Sequence, residues 1–404
     1  MFPTETENLT AIVDRFLSIQ DITYGDARQG YLVRYRGKLR MDSAQAYDQM
    51  AGLLRPLGIT PLFRKEQDQH SILLVSGVVS PKPSKAWVSL LLMALTFLSV
   101  ILAGVIYTLG SVMEGASPTS LSEWVPYILK SLGGGLAFAA SLLAILLAHE
   151  FGHYLAGRYH NTYVTLPYFI PFPFSPFGTL GAFIQLKEPP KNRRILLDIG
   201  IAGPLAGLLV SIPVLILGLS LSRLSSLPVV PSQAQGLQLE GNSLLYLATK
   251  FLVFGKLLPQ PGDYQGLSPF LYWVRYFFTG RPLPLGGQDV LLHPVAWAGW
   301  AGLLVTALNL IPAGQLDGGH LLFVLLGKRV SALLPVILIV LVVLGLVWPG
   351  WWLWAALIFL LGRLHAEPLD QITPLDPPRK LLAVVGLVIF ILVFTPVPLV
   401  MVGI

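Results

Sequence analysis

Two histidines and a glutamate stand at the end of an apolar run, in "LLAILLAHEFGHYLAG" (Leu142–Gly157). His149 and His153 are four residues apart, so on a helix both imidazoles leave the same face one turn apart. H-E-x-x-H is the pattern in which two such histidines hold zinc. Glu150 then points beside the metal, where it can take a proton from an activated water and return it to a leaving amine. That is hydrolytic chemistry. The competing reading is a polar network that holds helices together. Each ionisable group is costly in lipid without a function or a partner, and three of them in this pattern favour the metal.

A catalytic zinc takes three protein ligands and keeps one position open. The chain has no cysteine, so thiolate ligands, thiolate catalysis and disulfides are excluded, and the third ligand must be His, Asp or Glu. "NLIPAGQLDGGH" (Asn309–His320) offers Asp317 at the edge of another apolar run, with Pro312, Gly314, Gly318 and Gly319 allowing a bend. Alone, "LDGG" reads as a turn. His320 and Glu150 are rival ligands, with Asp317 preferred because it lies closer to the bend. Two histidines, one carboxylate and an open position suit zinc, without excluding another divalent ion.

These residues have to be positioned by membrane helices. Of 404 residues 54% are hydrophobic and 12% charged, which marks a polytopic membrane protein. Seven apolar runs, beginning near Ala86, Trp124, Ile195, Leu291, Val330, Gly350 and Lys380, predict about seven transmembrane helices. Basic residues cluster beside them: Lys82 and Lys85, then Lys187, Lys191, Arg193 and Arg194, then Lys328 and Arg329, then Arg363, Arg379 and Lys380. With seven spans all four clusters share one side, expected to be cytoplasmic. The net charge of +6 is therefore read as orientation and not as nucleic-acid binding. The second and fourth spans run the same way, which brings His149, His153 and Asp317 to one depth.

Residues 1–79 predict a cytoplasmic α+β domain in the order strand, helix, strand, strand. Tyr31–Leu39 is the first strand; Asp42 and Gln45 form a capping box ahead of a helix whose Ala46, Met50, Leu53, Leu54 and Leu57 share a face; "ITPLF" and "SILLVSGVV" follow. Residues 80–85 are a linker, and 86–404 form the membrane-embedded domain. The acidic start, "MFPTETENLTAIVDRF", resembles neither a signal sequence nor a transit peptide, which favours a bacterial plasma membrane.

Two segments fit neither helix nor simple loop. Thr165–Pro190 carries Pro167, Pro171, Pro173 and Pro176, then alternates from Thr179 to Leu186 as a strand does. Irregular backbone is not tolerated against lipid, so a re-entrant β-hairpin is expected. Residues 223–290 form an external connection whose "FLYWVRYFF" (Phe270–Phe278) suits an interfacial helix. His160, His293, His70 and His365 read as solvated or surface groups, and Asp198 as a helix cap or a partner of a zinc histidine. "GIAGPLAG" (Gly200–Gly207) reads as small residues for helix packing.

"HEFGH" with "NLIPAGQLDGG" resembles the site-2 protease family of intramembrane zinc metalloproteases, whose patterns H-E-x-x-H and N-x-x-P-x-x-x-L-D-G are matched at every fixed position. The wider layout is most similar to the plastid, cyanobacterial and bacterial subgroup related to the ethylene-dependent gravitropism-deficient proteins, without a PDZ-like insertion. The resemblance covers roughly residues 125–330. It implies one Zn2+ held by His149, His153 and Asp317, with Glu150 as general base and Asn309 positioning substrate or stabilising the transition state. The implied substrate is a membrane-anchored protein with a transmembrane helix, cut within or near that helix. A cytoplasmic partner of the N-terminal domain is a further expectation. The alternatives are a metal-binding transporter, against which stands the lack of an inverted repeat or a second intramembrane acid pair, and a catalytically silent scaffold, against which stands Glu150.

Overall fold

The computed structural model describes residues 3–25, 30–66, 68–79, 85–113, 118–230, 237–361 and 367–402. The expected linker as far as Ser84, with Lys82, lies outside the described residues, as do Arg363, His365 and the side chain of Lys328.

The chain starts with α1 (Pro3–Asp14), β1 (Leu17–Tyr24), β2 (Val33–Leu39), α2 (Ser43–Leu54), β3 (Ile59–Glu66) and β4 (Gln69–Ser76). The strands form one antiparallel sheet in the order β1-β2-β4-β3. Asp42 caps α2 as expected, its carboxylate accepting from the Ala44 and Gln45 amides. Val33, Tyr35, Ala46, Met50, Leu54, Phe63, Ile72 and Leu74 make the core. Two readings are corrected. Leu53 and Leu57 are exposed, and Tyr47 takes the inward position beside Ala46 and Met50. The sheet also holds a strand, and the unit a helix, ahead of the expected order; both are mostly polar, with Leu17 the sole buried residue of β1, so apolar periodicity could not reveal them.

The helical part follows: α3 (Ala86–Val112), α4 (Leu121–Tyr159), β5 (Tyr168–Pro171), β6 (Thr179–Phe183), α5 (Arg193–Leu221), β7 (Arg223–Ser226), β8 (Gln238–Glu240), α6 (Leu244–Phe254), α7 (Pro269–Thr279), β9 (Gln288–Leu291), α8 (Pro294–Asn309), α9 (Asp317–Leu326), α10 (Leu334–Gly345), α11 (Gly350–Leu361), α12 (Pro377–Val393) and β10 (Leu399–Met401). Among the described residues three helices, α3, α4 and α5, are long and apolar enough to cross a membrane; α9 and α10 together would make a fourth, bent by 115°. The other runs give shorter helices than the sequence suggests, 16 residues in α8, 12 in α11 and 17 in α12.

In lipid, apolar contact gives helices no net drive to associate, so close approach matters. α5 lies antiparallel between α4 and α8. Gly203 and Gly207 abut His153 and His149 of α4, while Ser211, Leu215 and Gly218 abut Gly302, Gly299 and Ala296 of α8. Any side chain at Gly299 or Gly218 would strike backbone atoms. α8 is buried along almost its whole length, which suits a helix that is apolar all round. α7 presents Phe270, Leu271, Val274 and Phe278 outward and buries Tyr272 and Tyr276.

The N-terminal sheet is joined to the helical part through its edge. Phe63 of β3 donates its amide to Leu369 O (2.9 Å) and accepts from Gln371 N (3.0 Å). On the other side Leu369 N reaches Pro190 O (3.0 Å) and Asp370 N reaches Lys191 O (2.7 Å). Asp370 is fully buried and accepts from Ile372 N, Thr373 N and the Thr373 hydroxyl. Ser43 and Thr373 share a hydrogen bond of 2.7 Å.

Candidate metal centre

α4 places His149 and His153 one turn apart near its C-terminal end, with exposures of 3% and 7%. The chain breaks after α8 at Leu310–Leu316, where Pro312 cannot continue the helix and Gly314 takes φ +57°. It restarts with Asp317 as the first residue of α9. The break aims the Asp317 carboxylate back at α4. Asp317 Oδ2 lies 3.4 Å from His149 Nε2 and 3.3 Å from His153 Nε2, and the two Nε2 atoms are 3.2 Å apart.

This triangle can be tested against a metal. Ligands about 2.0–2.1 Å from zinc at tetrahedral angles stand roughly 3.3–3.4 Å from one another, so the three donor atoms fit one ion. The tautomer fits as well. His153 Nδ1 donates to Ile199 O at 2.7 Å, which leaves the Nε2 lone pair facing the other two ligands. No other His, Asp or Glu joins the three in a metal-holding group among the described residues. His320 lines the same cavity without joining the cluster.

The cavity measures about 210 Å³ and is lined by Glu150, Asn309, Gln315 and His320 besides the triad. Glu150 is buried at 4% exposure, and its Oε2 has no hydrogen-bond partner among the described residues. A buried carboxylate oxygen left unsatisfied is costly unless something polar enters the site. Asn309 Nδ2 stands 3.2 Å from His149 Nε2, so the end of α8 delivers an amide to the same point. Ala182, Phe183, Ile184 and Leu186 wall one side. They belong to β6 and its continuation, paired with β5 and held to α3 by the Ser99 hydroxyl on Gly178 O at 2.6 Å. The strand is shorter than the alternation suggests, and Leu180 points outward.

The sequence profile of peptidase family M50 matches residues 137–345, a stretch that contains both histidines, Glu150, Asn309 and Asp317. The chain belongs to peptidase family M50. It is 28% identical over 342 residues to the probable zinc metalloprotease EGY1, chloroplastic, of Arabidopsis thaliana, covering 80% of this chain and 56% of that protein. Its identity to the EGY1 protein of Oryza sativa subsp. japonica is 30% over 345 residues, 81% of this chain and 53% of the relative. To the probable zinc metalloprotease EGY2, chloroplastic, of Arabidopsis thaliana it is 30% over 278 residues, 68% and 44% of the two chains. The chain thus spans about half the length of the relatives it matches. No solved structure matches it.

Within this M50 chain three readings need revising. "GIAGPLAG" does more than pack helices. A Cβ at Gly203 would lie 2.1 Å from His153 Nε2, and one at Gly207 would lie 3.1 Å from His149 Nδ1, so these glycines make room for the two imidazoles. His160 is not simply solvated: its Nε2 bonds Asp198 at 2.9 Å. Asp198 neither caps α5, a role taken by Asn192, nor touches His149 or His153; it receives a two-pronged ion pair from Arg379 at 2.7 and 2.8 Å. The sequence signal for Gly203 and Gly207 was their spacing of four, which matches that of His149 and His153 on the facing helix.

Proposed function

We propose that the protein is an intramembrane zinc metalloprotease that hydrolyses peptide bonds within or near the transmembrane segment of a membrane-anchored protein. The observation that carries this reading is the triangle of His149, His153 and Asp317 with an unsatisfied carboxylate oxygen of Glu150 in the same buried cavity. His149, His153 and Asp317 hold one Zn2+, Glu150 is the general base and Asn309 the polarising amide. The relatives named as probable zinc metalloproteases support the assignment.

When bound, zinc supplies Lewis-acid activation of water and of the scissile carbonyl. Glu150 takes the water's proton on its free oxygen and delivers it to the departing amine. Asn309, whose Nδ2 is 3.2 Å from His149 Nε2, would donate to the oxyanion that develops on the substrate. A helical substrate hides its carbonyls in its own hydrogen bonds and must unwind locally. The free edge of β6 beside the cavity can take up an extended segment, exchanging helix bonds for sheet bonds.

The same reading includes finer assignments. The chain crosses the membrane seven times, with α8, α10, α11 and α12 as short spans beside α3, α4 and α5, and the β5–β6 hairpin is re-entrant. Residues 1–79 are a separate cytoplasmic domain that offers a partner surface, joined through 80–85 to a membrane domain at 86–404, and the host membrane is a bacterial plasma membrane. Support comes from the common face of the basic residues: Lys191, Arg194 and Arg379 all lie at the end where the N-terminal sheet docks.

The deciding experiment reconstitutes the full chain with single-span model substrates and assays bound zinc alongside cleavage. Wild type is expected to cut within the span and to stop on chelation. Glu150→Gln is expected to keep stoichiometric zinc while cleavage falls by about 10²–10⁴-fold. Zinc-loaded protein that cuts no substrate of the panel in a Glu150-dependent manner overturns the protease reading in favour of a scaffold.

A further inference from the structure

A second group of buried ionisable residues lies at the opposite end of α8 from the metal centre. Glu240 ends β8, Asp289 lies in β9, and Lys250 comes from α6; their side chains are 7% exposed or less. Lys250 Nζ is 3.8 Å from Glu240 Oε1, makes no hydrogen bond among the described residues, and sits 4.4 Å from the centre of the Tyr246 ring. Tyr246 donates its hydroxyl to Glu240 Oε1 at 2.8 Å. Tyr107 of α3 and Tyr276 of α7 complete the titratable groups facing the pair. Both carboxylates line a cavity of about 150 Å³ whose wall includes Ser225 and Ser226 of the exposed strand β7, which gives water a way in.

Two carboxylates and one ammonium leave one negative charge without a counter-charge in a low-dielectric site, and the least costly remedy is a proton. The surroundings are built to register that charge. Trp300 of α8 donates to Gly241 O, next to Glu240, at 2.8 Å, and Tyr107 donates to Leu292 O, just past β9, at 3.0 Å. β8 also pairs with β10, the last strand of the chain.

We propose that Glu240, Asp289 and Lys250 form a proton-operated latch on the face remote from the metal, in which one proton taken from that compartment seats β8 and β9 against the start of α8. Burial, and next the Asp289 charge, push Glu240 up to about 7, against the opposing pull of Lys250 and the Tyr246 hydroxyl. Burial raises Asp289 too, opposed by Lys250. A raised acid contributes stability that is complete below its unfolded value and is lost as pH climbs through the folded one. The latch therefore holds in mild acid and loosens as pH passes about 7. α8 ends at Asn309, so a loosened start also frees the amide beside His149; this last link rests on the protease reading.

The test uses the full zinc-loaded chain in nanodiscs. The thermal midpoint is followed from pH 5 to 9, together with hydrogen exchange of residues 238–242 and 288–293 corrected for intrinsic rates. Wild type is expected to lose on the order of 2–4 °C between about pH 6 and pH 8, with exchange in those two segments rising about tenfold. Glu240→Gln should abolish both changes. Lys250→Met, which removes the compensating cation, should move them to higher pH. An unchanged step in Glu240→Gln, or an exchange change located elsewhere, overturns the latch. If Glu240→Gln does not fold, a step left unmoved in Lys250→Met overturns it as well. None of these readouts uses peptide cleavage, so failure of the latch and failure of the protease reading are separate results.

Discussion

At Gly203 one added methyl group would land 2.1 Å from His153 Nε2, while at Gly207 it would come no closer than 3.1 Å to His149. The two positions therefore make a graded test of the metal centre that alters no ligand. Gly203→Ala is expected to weaken zinc binding by 10–100-fold, as loss of the contacts that orient a ligand histidine does, and Gly207→Ala by clearly less. Competition with a chromophoric chelator measures both. That His149, Glu150, His153, Asp317 and Asn309 meet around one cavity was legible because residue type and local spacing singled them out. The clearance at Gly203 was not, because a missing side chain gains meaning only from the helix it faces. Asp198 was misread for a related reason. Its partner Arg379 is remote in sequence, and an acid at a helix start has a local explanation ready.

Among the elements, the Arg379–Asp198–His160 chain ties the start of α12 and the first turns of α5 to the residue that ends α4. It braces α4 without touching His149 or His153. Asp198→Asn is expected to cost about 1–2 kcal/mol of stability, read as a lower thermal midpoint, while zinc occupancy stays whole. Loss of zinc in that variant would show that the brace also sets the ligand geometry. Element types along the helical part were readable from apolar runs; their lengths were not. "WPG" at Trp348–Gly350 parts α10 from α11, where Pro349 lacks the amide a continuous helix would use. At the N-terminus the difficulty was reversed. Polar β1 qualifies as a strand because β2 pairs with it, and that pairing is a tertiary fact.

For the whole molecule, the decisive joint is the buried strap at Asp370. Burial raises the Asp370 carboxyl above its ordinary range, while the Thr373 hydroxyl and the Ile372 and Thr373 amides oppose the rise. Asp370→Ala leaves the Ile372 and Thr373 amides and the Thr373 hydroxyl without their acceptor, and buried donors left unpaired cost about 1–3 kcal/mol. The N-terminal sheet should then separate from the helices, which faster nicking of the 77–85 stretch in limited proteolysis would reveal, with zinc still bound. The ribbon that runs from Phe63 through Asp370 to Asn192 has a consequence for biogenesis. A ribosome releases Asp370 only after α3 to α11, so the open edge of β3 has to wait, unpaired, while those helices are synthesised and inserted. Unpaired strand edges invite the wrong neighbour. Completion of that edge thus reports that α3 to α11 have been made, and chains stalled before residue 370 should be the aggregation-prone ones.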